Sequence, residues 1–362
     1  IILMRKKSKI YVAGHTGLVG SAILANLISK GYNNIVTRVH KELDLTDQCQ
    51  VKNFFLTEKP EYVILAAAKV GGIDANNKYR AEFIYNNLMI QNNVIHHSYL
   101  NKVKKLLFLG SSCIYPKNCL QPITEESLLT GKLEYTNEPY SIAKISGLKM
   151  CESYNLQYST NFISVMPTNL YGPNDSFDLG NAHVLPSLLR KFFLADNLVK
   201  DNWSLIQKDL NMNPIENVDG SNNKKQIISV LKKYGIQKKY VEVWGSGKPM
   251  REFLWSEDLA EACVFILNNV QFKDVVDNSV NEVRNTHINI GTGKDVSIKD
   301  LANLIKGHIG YKGDIKFNTL KPDGTMKKLT DISKLNKLGW KYSTSLNQGI
   351  EKIHSWYLKS LL

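Results

Sequence analysis

The stretch KIYVAGHTGLVG, Lys9 to Gly20, decides the fold. Ile10 to Ala13 is a short apolar run of strand-forming residues that halts at Gly14. A strand is expected over Lys9–Ala13 and a helix from about Gly17 to Lys30. Gly14 permits the tight turn between them, Gly17 lets backbone approach a pyrophosphate, and Gly20 lets the helix pack on the strand. The helix N-terminus then faces the phosphate charge.

Outward from this turn, strand and helix alternate. Strands are expected at Ile35-Val36, Tyr62–Ala67, Leu106–Leu109 and Phe162–Val165, and helices at Val51–Glu58, Phe83–Leu100 and Tyr140–Tyr158. This pattern implies an α/β fold with a doubly wound parallel Rossmann sheet that binds its ligand beyond the carboxyl ends of the strands. The expected division is a cofactor domain over residues 1–173, to which segments such as 252–293 return, and a smaller C-terminal α/β substrate-binding lobe over 174–362. Residues 196–240 are polar and rich in Asn and Lys, and are read as a surface insertion in that lobe. Asp219–Asn223 is an expected loop. A short amphipathic helix is expected after it, with Ile227, Ile228, Leu231 and Tyr234 on one face.

Composition excludes several classes. A chain of 362 residues with 43% hydrophobic content can bury a large core and is not disordered. The clearly apolar stretch Tyr62–Ala68 is far shorter than the roughly 20 residues of a membrane helix. Ile1-Ile2-Leu3-Met4 is too short for the apolar region of an export signal, and Met4 reads as the start, with residues 1–3 an added extension. The expected compartment is therefore the cytoplasm. Five cysteines without a CxxC pair argue against a disulfide framework and a structural metal. The net charge of +13 fits an anionic small substrate; it is scattered in lysine doublets, without the stripe that nucleic acid requires.

Three further segments carry chemistry. Arg38-Val39-His40-Lys41 ends the second strand with no acid before Glu42. An acid would take a free ribose 2′-hydroxyl, whereas a cationic segment suits a 2′-phosphate, so NADP(H) is expected over NAD; the plainer alternative is that Arg38 and Lys41 are merely solvated. Tyr140 and Lys144 share a helical face, where the lysine ammonium is expected to lower the phenol's pKa. Ser111, at the end of the fourth strand, can bind the same substrate oxygen. Cys113 follows at the same strand end; a thiolate there can act as a base, although an inert cysteine is the commoner case.

These segments resemble the extended short-chain dehydrogenase/reductases, and within them the GDP-L-fucose synthase family. The likeness runs through AGHTGLVG (13–20), LAAAKVGGI (65–73), LFLGSSCIYPK (107–117), TNEPYSIAK (136–144), VMPTNLYGP (165–173), VWGSGKPMREFL (243–254), HINIGTG (287–293) and KPDGT (321–325). It implies NADPH-dependent 3,5-epimerisation and 4-keto reduction of a GDP-4-keto-6-deoxy sugar, in nucleotide-sugar biosynthesis for surface polysaccharide, by a homodimer. It implies that Ser111, Tyr140 and Lys144 serve the C4 carbonyl, with Cys113 the base and His183 the acid of epimerisation. The cofactor would lie against Gly14, Thr16, Gly17, Leu18, Val19, Gly20, Arg38, His40, Ala66, Ala67, Leu109, Gly110, Lys144 and His183. Pro167, Asn169 and Leu170 would line its nicotinamide end. Asn169, Lys191, Trp244, Arg251 and Asp323 would hold the nucleotide sugar, Arg251 through its planar fork; core packing is the alternative for Trp244.

The chain departs from the pattern in places. The family commonly carries Arg where this chain has Thr16 and again where it has His40, leaving Arg38 and Lys41 as substitutes in the 2′-phosphate grip. Sugar-nucleotide 4,6-dehydratases carry an Asp-Glu pair where Ser112 and Cys113 stand, so dehydration is disfavoured. The 196–240 segment leaves room for a GDP-4-keto-6-deoxyheptose, with the same chemistry or C4 reduction alone. A non-enzymatic NADP-sensing module is the rival of another class; such modules usually lose the Tyr or the Lys.

Overall fold

The structure is a computed structural model that describes residues 4–277, 279, 281–321 and 323–362. Ile1–Leu3 and Pro322 of the 321–325 motif lie outside the described residues. The chain divides into two compact units: residues 1–170, 252–294 and 329–343 form the first, and 171–251, 295–328 and 344–362 the second.

The first unit is built on the alternation read from the sequence: β1 (Ile10–Ala13), α1 (Leu18–Ser29), β2 (Ile35–Val36), α2 (Gln48–Glu58), β3 (Tyr62–Leu65), α3 (Ile73–Lys78), α4 (Arg80–Leu100), β4 (Lys105–Leu109), α5 (Glu138–Tyr158) and β5 (Phe162–Pro167). Strand Ile288–Ile290 returns from later sequence to give a six-stranded sheet in the order β2-β1-β3-β4-β5-(288–290), parallel throughout. The doubly wound α/β architecture is therefore present. The strand order reverses between β1 and β3, which are paired from Ile10↔Tyr62 to Ala13↔Leu65. At such a switch point the flanking loops part and leave a crevice beyond the strand ends.

The strands are buried on both faces, which is why they read as continuous apolar runs rather than alternating ones. Ile10, Val12, Ile64, Leu107 and Ile163 pack with Ile23 and Leu27 of α1 and with Leu259 and Cys263 of the helix Ser256–Asn269. Tyr11, Val63, Leu65, Leu106 and Phe108 face the other way, onto Val51 and Phe55 of α2, Val94 of α4 and Leu148 of α5. Each such side chain contributes about 1.5–3 kcal/mol by leaving water. Asp47 caps α2, its carboxylate accepting from the backbone of Cys49 and Gln50 at 2.8 and 3.1 Å. Helix α1 has neither a side-chain cap nor an acid in its first turn, so its positive end is left for another anion.

The second unit centres on the apolar helix Val184–Val199, with the parallel strand pair Tyr240–Trp244 and Asp314–Asn318 and the helices Ile298–Ile309 and Leu346–Leu361. Residues 196–240 are not a surface decoration, contrary to the sequence expectation. Helices Trp203–Met212 and Lys224–Lys233 bury Ile206, Leu210, Ile227, Val230 and Leu231. Asp209 accepts from Arg190 Nε with both oxygens, at 2.9 and 2.8 Å, and from the Tyr357 hydroxyl at 3.0 Å, all fully buried. The expected amphipathic helix forms, but Val230 takes the place assigned to Ile228, which is 48% exposed. Counting i, i+3, i+4 from Ile227 selects Val230 and Leu231 and turns Ile228 outward. No described helix is long and apolar enough to cross a membrane.

Candidate active site

The glycine turn comes first in the chain. Gly14 sits at φ +84°, and a Cβ there would lie 2.7 Å from the backbone nitrogen of Ala67. The turn is thus seated directly on Ala66-Ala67 at the end of β3, at the switch point. A Cβ on Gly20 would lie 2.0 Å from the Gly14 carbonyl oxygen, so this glycine is what lets α1 close onto the turn. Gly17 is different: its nearest such neighbour is at 3.7 Å and it is exposed at the N-cap of α1. Nothing inside the protein demands glycine there. Open space before an uncapped helix N-terminus fits the pyrophosphate of a dinucleotide.

At the end of β2, Arg38 is not merely solvated. Its guanidinium pairs with Glu58 of α2 at 2.5 Å, donates to the Thr37 carbonyl at 2.7 Å, and lies over the Phe54 ring. Thr16, His40 and Lys41 are exposed.

The end of β4 and the start of α5 are stitched together. Gly110 donates its N–H to the Val165 carbonyl at 2.8 Å, and a side chain there would strike Met166. Ser111 is extended and accepts from the Cys113 N–H at 3.2 Å, starting a single helical turn that brings Cys113 round. Ser141 donates to the Cys113 carbonyl at 2.9 Å, and Lys144 Nζ donates to the Leu109 carbonyl at 2.8 Å. Pro139 opens α5, where its missing N–H costs nothing. Ser111, Cys113, Tyr140 and Lys144 are thereby gathered in one corner of the first unit.

Burial sets the electrostatics of this corner. It pushes the Tyr140 phenol well above its ordinary range; the charge of Cys113 adds to the rise, and a hydrogen bond from Ser111 opposes it. Burial also brings Lys144 down to about 7. The expected ammonium-lowered phenol is therefore not what the structure has: Lys144 Nζ is 5.8 Å from the centre of the Tyr140 ring and spends a hydrogen bond on Leu109. Desolvation, which penalises both charged forms, is the leading cause of both shifts. Beyond β5, Pro167 ends the strand and Asn169 Nδ2 donates to the Glu252 carbonyl at 2.8 Å, beside half-buried Leu170.

The second unit holds the remaining residues. His183 precedes helix Val184–Val199; it is solvent-exposed, yet desolvation by the protein around its ring lowers its pKa. Two turns on, buried Lys191 donates to the Glu242 carbonyl at 3.1 Å, and burial brings its pKa to about 8, with the Glu242 charge opposing. Trp244 is 48% exposed, with the ammonium groups of Lys191 and Lys321 at 6.0 and 4.8 Å from its ring. The Trp244 ring is therefore not core. Arg251 donates to the Met250 and Thr325 carbonyls at 2.8 and 2.5 Å. Asp323 accepts from the N–H and hydroxyl of Ser246 at 2.8 and 2.7 Å, bonds that hold its carboxyl below the usual range. It braces the turn after Trp244. Sequence reasoning missed Ser141, Lys321 and Glu252; an acid inside the apolar strand Met250–Trp255 was the visible signal for the last.

A glycine turn at the switch point of a parallel sheet, with a Ser–Tyr–Lys corner two strands away, defines a dinucleotide-dependent short-chain oxidoreductase. The chain belongs to the NAD dependent epimerase/dehydratase family, whose model matches residues 10–202 and 214–291. It is 49% identical over 360 residues to a putative GDP-L-fucose synthase 2 of Arabidopsis thaliana, covering 99% of this chain and 94% of that one. Among solved structures it is similar to a GDP-6-OMe-4-keto-L-xylo-heptose reductase from C. jejuni, at 48% identity and TM-score 0.93 over 99% of each chain. It is also similar to a GDP-mannoheptose C4 reductase from Campylobacter jejuni with NADP bound, at 48% identity and TM-score 0.87 over 98% of this chain and 99% of that one.

Proposed function

We propose that the protein is an NADPH-dependent epimerase and reductase that inverts C3 and C5 of a GDP-4-keto-6-deoxy sugar and reduces its C4 ketone. The observation that carries this reading is the gathering of Ser111, Cys113, Tyr140 and Lys144 where β4 meets α5.

The C4 ketone acidifies the C–H bonds at C3 and C5. Cys113, as thiolate, removes the proton; Tyr140 and Ser111 hydrogen-bond the enolate oxygen; His183 returns a proton to the opposite face. NADPH, when bound, supplies the hydride for C4. Tyr140 then gives its phenolic proton to the C4 oxygen, and Ser111 holds that oxygen in place. The Tyr140 phenol is protonated at neutral pH, as a donor must be, and its raised pKa leaves it so.

The turn from Gly14 to Gly20, with Thr16, Leu18 and Val19, would hold the cofactor pyrophosphate together with Ala66, Ala67, Leu109 and Gly110. Pro167, Asn169 and Leu170 would take the nicotinamide end, and Lys144 the nicotinamide ribose. Arg38, kept in place by Glu58, would meet the 2′-phosphate beside His40. Lys191 and Arg251 suit the sugar diphosphate, Trp244 the nucleotide, and Asp323 the turn that presents it. A cytoplasmic homodimer is part of this reading.

A second reading keeps the chemistry but takes a GDP-4-keto-6-deoxyheptose, or only reduces it. It is favoured by the heptose reductases, which stand at 48% identity beside 49% for the fucose-type relative. The test supplies NADPH with GDP-4-keto-6-deoxymannose or its heptose counterpart and identifies the sugars formed. Conversion of the hexose to GDP-L-fucose supports the first reading, reduction of the heptose alone supports the second, and no NADPH oxidation with either contradicts both.

A further inference from the structure

Glu252 is completely buried, and every hydrogen-bond partner of its carboxylate is a donor. Oε1 accepts from the backbone N–H of Thr292 at 2.5 Å and of Gly293 at 2.7 Å, and from the Thr292 hydroxyl at 3.3 Å. Oε2 accepts from the N–H and hydroxyl of Thr330, at 3.0 and 2.7 Å. Four donors, with the Thr292 hydroxyl shared with the Lys294 carbonyl at 3.2 Å, and no ammonium or guanidinium among these partners make a cage suited to an acceptor-only group. Gly291 is part of the cage: a Cβ there would lie 2.3 Å from Oε1. Two segments distant in sequence, 291–293 and Thr330, are thus fastened to one side chain.

The backbone of the same residue faces another task. Its carbonyl accepts from Asn169 Nδ2 at 2.8 Å and from the Thr168 hydroxyl at 3.4 Å. Thr168 is fastened a second time, its N–H donating to the Ile290 carbonyl at 3.0 Å. The caged carboxylate therefore fixes the strand whose carbonyl orients Asn169.

From this geometry we infer that Glu252 is a positioning residue for hydride transfer: its caged carboxylate holds the backbone carbonyl that aims Asn169 at the nicotinamide end of the cofactor. The inference rests on the reductase reading, in which Asn169 lines that end. Hydride transfer is steeply sensitive to donor–acceptor alignment, so a displaced Asn169 slows it. Proton removal at C3 and C5 depends on Cys113, which is held by Ser111 and Ser141 and not by this cage.

The test is Glu252→Gln, which keeps the shape but turns an N–H₂ toward backbone N–H groups that only donate. Thr330→Val, which deletes one donor at nearly constant volume, stands in should the first variant not fold. Each is assayed with GDP-4-keto-6-deoxymannose for C4 reduction, for the kinetic isotope effect of 4-deuterated NADPH, and for solvent deuterium entry at C3 and C5. The expected result is a fall in reduction kcat of about tenfold for Glu252→Gln and about threefold for Thr330→Val. The isotope effect rises, and exchange stays within about twofold of the parent. A parallel fall of reduction and exchange, or an unchanged isotope effect, overturns the inference. Absence of both reactions in the unaltered protein overturns the functional reading instead.

Discussion

The corner where β4 meets α5 and the surface around Trp244 treat charge in opposite ways. In the corner, Lys144 is buried and Tyr140 half-buried, and desolvation moves both away from their charged forms. Around Trp244, Lys321 and Asp323 are exposed, and the Asp323 carboxylate is stabilised by bonds from Ser246, while buried Lys191 beside the ring shares the corner's shift. Proton transfer depends on where burial and neighbours set each group's pKa. Recognition of an anionic nucleotide needs charge that is permanent and cheap. The contrast predicts that substitutions in the corner change turnover and those around Trp244 change affinity.

Tyr140→Phe gives the largest effect: C4 reduction falls about 10³-fold with NADPH affinity nearly unchanged, as read by kcat and cofactor fluorescence titration. Unchanged turnover would break the comparison at its stronger end. Cys113→Ser lowers solvent deuterium entry at C3 and C5 by about 10²-fold; exchange at the parent rate would mean another base. Trp244→Ala raises KM for the GDP sugar about tenfold and leaves kcat within about twofold, since uniform binding is what it removes. A drop in kcat there instead would erase the distinction between the two regions.

A pH profile sharpens the comparison further. Lys144 titrates near 7, so the corner holds an ammonium below that pH and a neutral amine above it. Reduction kcat is expected to be level on the acid side and to decline as pH rises through about 7. For stability the sign is the reverse. The folded pKa lies below the unfolded one, about 10.4, so the buried cation is a full penalty below about 7, and the penalty fades as pH rises toward the unfolded value. Lys144→Met therefore raises the melting temperature more at pH 6 than at pH 9. A flat activity profile from pH 6 to 9 would show that the ammonium is not used.

Local signals made much of this legible in the sequence. β1, β3, β4 and β5 stand out because strands buried on both faces are short apolar runs between helices. Gly14, Gly17 and Gly20 name the turn, and the spacing of Tyr140 and Lys144 names the corner. Long-range burial was not legible. Nothing near Asp209 announces that Arg190 and Tyr357 will enclose it, so residues 196–240 read as wholly solvated although their two helices each bury one face. For the same reason the spacing of Tyr140 and Lys144 suggests attraction, whereas the depth of burial decides the direction of both shifts. The Glu252 cage draws its donors from residues 292, 293 and 330 and escapes any local reading.

The central claim is that one ketone is used twice, first to loosen its neighbouring protons and then to take a hydride. Its most direct test is the proton NMR spectrum of the sugar made from GDP-4-keto-6-deoxymannose in D₂O with ordinary NADPH. The account predicts a protium signal at C4 and none at C3 or C5. Protium retained at C3 and C5 in a product reduced at C4 would contradict it.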